Sequence, residues 1–169
     1  MIQPHGSATL DPRHVADPAR RAALQAEAAS LPQLLLSSAA AANAVMLGAG
    51  YFNPLRGFMN KADTLGVARE LKTPSGLFWP VPIINLVESA PGVEAGSRIA
   101  LRDPNVEGNP VLAIMDVEAV EQVSDEQISF MAENIFGTLD PEHPGVKTFT
   151  SLGKVLLSGP IQVLNFSYF

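Results

Sequence analysis

Short strand-like runs interrupted by capped helices, with no regular β-α-β alternation, place this 169-residue chain in the α+β class. The expected architecture is a bent sheet or small barrel of short, mostly antiparallel strands with several flanking helices. The length suits one domain, and at this size about two-thirds of the unfolded chain's surface is buried on folding. With 47% hydrophobic and 17% charged residues, the sequence is too apolar to remain disordered.

Residues 1–15 mix Pro, Gly, Ser and His without an apolar period, which predicts an extended or frayed lead-in before one domain at 16–169. Asp17-Pro18 reads as N-cap and first helical residue, because the aspartate oxygen accepts an orphan N–H that proline lacks. The helix runs to about Ala29, and Leu31-Pro32 ends it. Gln33–Leu36 is a short strand candidate. Ser37 and Ser38 supply caps for a helix from Ala39 to Leu47 that stops at Gly48, with Gly50 extending the turn. A third helix is expected from Asn60 through Leu71, with Leu65, Ala68 and Leu71 facing inward.

From Gly76 the character changes to strands. Leu77–Val87 is aromatic and β-branched, but Pro80 and Pro82 cannot donate to a ladder and demand an edge or a bulge. Arg98–Arg102 and Val111–Val123 are strand candidates joined by the turn formers of 103–110, a hairpin with a long tip. Ser124-Asp125-Glu126-Gln127 is a capping box. Behind it Ile128, Met131, Ala132 and Ile135 repeat at helical spacing until Gly137. Val155–Leu157 and Ile161–Phe166, parted by Ser158-Gly159-Pro160, read as a final strand pair.

Composition narrows the function classes. A net charge of −6 opposes phosphate backbones, and the eleven basic residues are scattered, so no nucleic-acid partner is expected. No apolar run approaches the ~20 residues of a membrane span. Met1 to Thr9 lacks the signature of a secretory signal, and zero cysteines exclude disulfides and thiolate chemistry, so a cytoplasmic protein is expected.

The residues that invite a chemical reading each have a structural one. In Gly48–Met59, glycines, a proline and aromatics surround Arg56, yet the lysine and hydroxyl of a phosphate loop are missing; a loop pinned by Phe52, Phe58 and Met59 is expected. Asp140-Pro141-Glu142-His143-Pro144-Gly145 gathers two carboxylates and an imidazole. Its prolines impose a turn and no further ligand sits at metal spacing. Arg102-Asp103-Pro104 reads as an ion pair opening the hairpin turn, with the aspartate bonding to backbone N–H groups. No catalytic residue, metal site or cofactor is assigned, and no nucleophile elbow occurs.

Three stretches together resemble one family. Gly50-Tyr51-Phe52-Asn53-Pro54-Leu55-Arg56-Gly57-Phe58-Met59 is similar to the G-x-F-x-P-L-x-G-F-M segment of the ATP sulfurylases, also called sulfate adenylyltransferases. Arg98-Ile99-Ala100-Leu101-Arg102-Asp103 is similar to their R-I-x-L-R-D strand. Thr138-Leu139-Asp140-Pro141-Glu142-His143-Pro144-Gly145-Val146 is similar to their T-x-D-P-x-H-P-G-V turn.

The resemblance covers roughly residues 15–169 and implies the PUA-like pseudobarrel that precedes the catalytic domain in that family. The family's Q-x-R-N-P loop and H-x-x-H motif, which handle sulfate and nucleotide, are absent from the sequence. The resemblance therefore implies a non-catalytic amino-terminal domain of an enzyme that makes adenosine 5'-phosphosulfate and pyrophosphate from ATP and sulfate. Its partner is the catalytic domain of the parent, on the same or a separate chain, with homo-oligomerisation available through that parent. Arg56 and Arg102 are the two candidates for contacts with ATP or sulfate at a domain boundary. Phe166, Tyr168 and Phe169 are expected to be partly covered in the full protein. The alternative is a stand-alone PUA-like binding or regulatory module.

Overall fold

The computed structural model describes residues 2–166 and shows an α+β fold in which a curled, mixed sheet is covered by five helices. In chain order the elements are α1 (Pro18–Ala28), β1 (Gln33–Leu35), α2 (Ser38–Ala49), β2 (Gly57–Phe58), α3 (Lys61–Glu70) and β3 (Leu86–Val87). They continue with β4 (Arg98–Arg102), β5 (Val111–Asp116), β6 (Ala119–Gln122), α4 (Asp125–Phe136), α5 (Pro144–Thr150) and β7 (Val155–Val163). The sheet runs β1-β4-β5-β7-β2, with β3 and β6 also pairing with β7. β1 and β4 are parallel and the other strand pairs are antiparallel.

The helix starts follow from side chains that accept orphan N–H groups. Asp17, Ser37, Asn60 and Ser124 each accept an N–H from the first turn of α1, α2, α3 and α4, and Ser124 and Gln127 complete the capping box. Gly50 and Gly137 close α2 and α4 in the left-handed conformation. α2 does not stop at Gly48 as the sequence suggests. Gly48 lies against Val163 and Phe166, where a β-carbon would come within 2.8 Å of the Phe166 ring; the glycine serves close packing rather than termination. Leu71 is not an inward residue of α3. It is the left-handed cap, 45% exposed; Ala68 is buried as expected, together with Thr64 and Val67.

Three strand expectations need correction, and one feature explains two of them. The final pair is a single strand, β7, bent at Gly159, whose φ of 141° no L side chain adopts comfortably. Before the bend β7 pairs with β3 and β6; from Gly159 onward it pairs with β2 and β5. The run 111–123 must follow it around the bend and so breaks into β5 and β6, with Glu118 N–H donating to the Ser158 carbonyl at 2.8 Å. In 77–87 only Leu86–Val87 is strand, because the two prolines remove donors over the rest.

The turn at 140–145 leads directly into α5, a helix not anticipated. His143 is its N-cap, and Pro144 occupies the first turn. The hairpin β4–β5 with its long tip is as expected, and a bulge near Arg102 puts Leu112 between the regular partners of Leu101 and Arg102.

Alternation along the strands divides the core. Ile99, Leu101, Ala113 and Met115 face α2 and the main cluster, whereas Ala100 and Ile114 face Leu24 and Ala28 of α1. A second cluster, with Ile128, Met131 and Phe149, seats α3, α4 and α5 on the early half of β7. Arg98 ties the α1 layer to the sheet through Glu27 and through Asp116 at 2.7 Å.

The lead-in turns at residues 5–9 and is held against the sheet and α2. Val15 N–H donates to the Val163 carbonyl at 2.9 Å, and Arg13 and His14 N–H groups donate to Leu47 and Gly48.

Candidate functional site

The Gly48–Met59 segment folds as a turn out of α2 followed by β2. Phe58 and Met59 are buried and Phe52 packs partly against the core, with its ring 6.1 Å from that of Trp79, so the expected aromatic pinning is present. Asn53, 5% exposed and followed by a cis peptide to Pro54, holds the lead-in. Its Oδ1 accepts from Asp11 N–H at 3.0 Å, and its Nδ2 donates to the His5 carbonyl and Ser7 Oγ at 3.0 and 2.8 Å. Sequence reading missed this role, although an asparagine inside an aromatic, proline-bearing loop was a signal.

Arg56 lies at a pocket of about 250 Å³ opened by the bend of β7 between β2 and the start of α3. Asp63, Glu118 and Ser158 also line it. Two carboxylates against one guanidinium give the pocket a balance unsuited to an anion. Burial, then the nearby Glu121, holds the Asp63 carboxyl above its ordinary range. Arg56 itself is 68% exposed, with Asp11 the nearest carboxylate at 3.9 Å.

Arg102 sits across the sheet from this pocket, since β5 and β7 intervene between β4 and β2. Its guanidinium donates to the carbonyls of Asn109 and Gly108 and to Gln33 Oε1. The expected ion pair with Asp103 does not form among the described residues. Asp103 is buried and bonds to backbone as expected, accepting from Asn105 N–H at 2.9 Å. The tip carbonyls, converging within reach of one planar donor, win the arginine. Arg56 and Arg102 are therefore not brought together.

In the 140–145 turn, Asp140 Oδ1 accepts from Glu142 N–H at 2.9 Å and His143 Nδ1 accepts from Val146 N–H at 3.3 Å. These groups are spent on backbone. Among the described residues no cluster of three or more His, Cys, Asp or Glu could hold a metal ion.

The nearest approach to converging cations is a 240 Å³ hollow at the start of α1, lined by Arg13, His14, Arg20 and Gln162. Its donors are engaged: Arg13 by Asp11 at 3.0 Å and the Ile161 carbonyl at 3.3 Å, Arg20 by Gln162 Oε1 at 3.1 Å. Burial, then Arg21, pushes the His14 imidazole below its usual value.

Two further hollows are apolar and meet at Tyr51. One, about 350 Å³, is lined by Phe52, Phe78, Trp79 and Val81; the other, about 240 Å³, by Met46, Ala49 and Phe166. No described helix is long and apolar enough to cross a membrane.

A curled half-barrel closed by one bent strand, with helices on both sides, is the architecture of a PUA-like domain. The profile of the PUA-like domain family matches residues 2–166, and the chain belongs to that family. Along its whole length it is 61% identical to the sulfate adenylyltransferase of Allochromatium vinosum, 43% of which it covers. It is 54% identical to that of Alcanivorax borkumensis and 51% to that of the Riftia pachyptila sulfur-oxidizing endosymbiont, covering 42% and 38% of them. The chain thus spans about two fifths of the length of the curated relatives it matches, as expected of a match to the PUA-like domain of ATP sulfurylases. Among solved structures, the hexameric APS kinase from Thiobacillus denitrificans superposes with a TM-score of 0.68 and 27% identity, over all of this chain and 28% of that one.

Proposed function

We propose that this chain is the supporting PUA-like domain of a cytoplasmic sulfate adenylyltransferase and does not itself carry adenylyl transfer. The observation behind the reading is the 61% identity running through the entire chain while only 43% of the relative is covered. The engagement of Arg102 by its own turn and the acidic balance around Arg56 support placing the chemistry elsewhere. Adenylyl transfer needs preorganised donors for charge developing at the α-phosphate, and these residues do not supply them as a set. The hexameric state named for the structural neighbour supports homo-oligomerisation through the parent.

The test is pyrophosphate exchange with ATP and sulfate. The purified chain is expected to show no turnover above a heat-killed control. A chimera in which this chain replaces the matched segment of the Allochromatium vinosum enzyme is expected to be active. Turnover by the chain alone, or a folded but inactive chimera, overturns the reading.

A further inference from the structure

Building on that reading, we propose that the apolar face centred on Tyr51 is the surface on which the remainder of the sulfate adenylyltransferase packs. Tyr51 follows the left-handed cap of α2 and is 73% exposed, an uncommon state for an aromatic side chain. It forms the ridge between the two apolar hollows. No Asp, Glu, Lys or Arg lines either hollow, in a chain where 17% of residues are charged. Phe78, 58% exposed, lines the larger hollow, and Leu10, 54% exposed, lies beside Gly50. Charge depletion combined with clustered aromatics is the composition of an interface core rather than of a solvated surface.

The occupant follows from the relatives. More than half of the Allochromatium vinosum enzyme lies outside the match, and a covalently linked partner meets a neighbouring surface at effective concentrations around millimolar. The family match ends at residue 166, and Phe166 lines the second hollow. In a longer relative, polypeptide continuing past that position leaves from the rim of this face.

Hydrogen exchange compares the free chain with the active chimera described above. Segments 50–53 and 77–81 are expected to exchange about tenfold or more slowly in the chimera, whereas the 103–110 turn is unchanged. Tyr51→Ser and Phe78→Ser, both at exposed positions, are expected to leave the free chain's stability as it is and abolish that protection. An active chimera with both segments unprotected sinks this proposal and leaves the supporting role intact; an inactive chimera removes both. Concentration-dependent protection of the same segments in the free chain would assign the face to a second copy and also overturn the proposal.

Discussion

The backbone of Gly57 passes so close to Gly159 that a β-carbon on Gly57 would stand 1.9 Å from the Gly159 carbonyl oxygen. This approach sets β2 against the bend of β7, and a β-carbon on Gly159 would in turn meet the Asp116 carbonyl at 2.1 Å. Backbone cannot yield as a side-chain end can. Gly57→Ala is expected to cost about 3 kcal/mol or more in urea unfolding; an unchanged midpoint would show that the two strands separate freely.

Asn53→Ala removes the three bonds by which this side chain holds residues 5–11. The expected loss is about 1 to 3 kcal/mol, since the asparagine's partners are left unsatisfied at a part-buried site. Exchange at the Asp11 amide should rise with it, and that is the more specific readout.

Ser124→Ala breaks the reciprocal cap of α4 and is expected to lower stability by about 1 kcal/mol. Because Gln127 reaches back to the Ser124 N–H, the double variant with Gln127→Ala should lose less than the two single losses added. Strict additivity would mean that the two halves of the box act independently.

His14 stacks 4.6 Å from the Phe166 ring, and its imidazole titrates below the ordinary value of 6.5 because of burial and Arg21. A depressed folded value means that the unfolded chain binds this proton first. The His14 contribution is therefore complete above about pH 6.5 and declines as pH falls through that value toward the lower folded one. Unfolding measured from pH 8 to 5 should show this slope in the wild type and a flatter profile in His14→Gln.

The two arginines should separate by role. Arg102→Ala is expected to destabilise the chain by about 1 to 2 kcal/mol through loss of its bonds to the turn carbonyls. Exposed Arg56→Ala should change stability by less than about 0.5 kcal/mol. In the chimera neither is expected to alter KM for ATP or sulfate; a severalfold rise for either one would assign it to substrate.

Much of the fold was legible in residues near one another in sequence. Asp17, Asn60 and Ser124 announce helix starts because a capping oxygen reaches only the next turn. The 103–110 turn formers likewise announce their hairpin. α5 escaped because seven residues opened by Pro144 carry too short an apolar period to stand out from a turn. Leu71 misled because its spacing suits the inner face, yet the helix ends just before it.

By itself the sequence determined the α+β class, the starts of α1 to α4, the family resemblance and the absence of cysteine chemistry, all of which rest on local side-chain preferences or on composition. Tertiary structure decided that 155–163 is one strand, that 111–123 is two, that Asn53 anchors the lead-in, and that Tyr51 joins two apolar hollows. The reason is that strand pairing and surface juxtaposition depend on partners far apart in the chain. The bend at Gly159 acquires its meaning only when Gly57, Asp116 and Glu118 are brought against it.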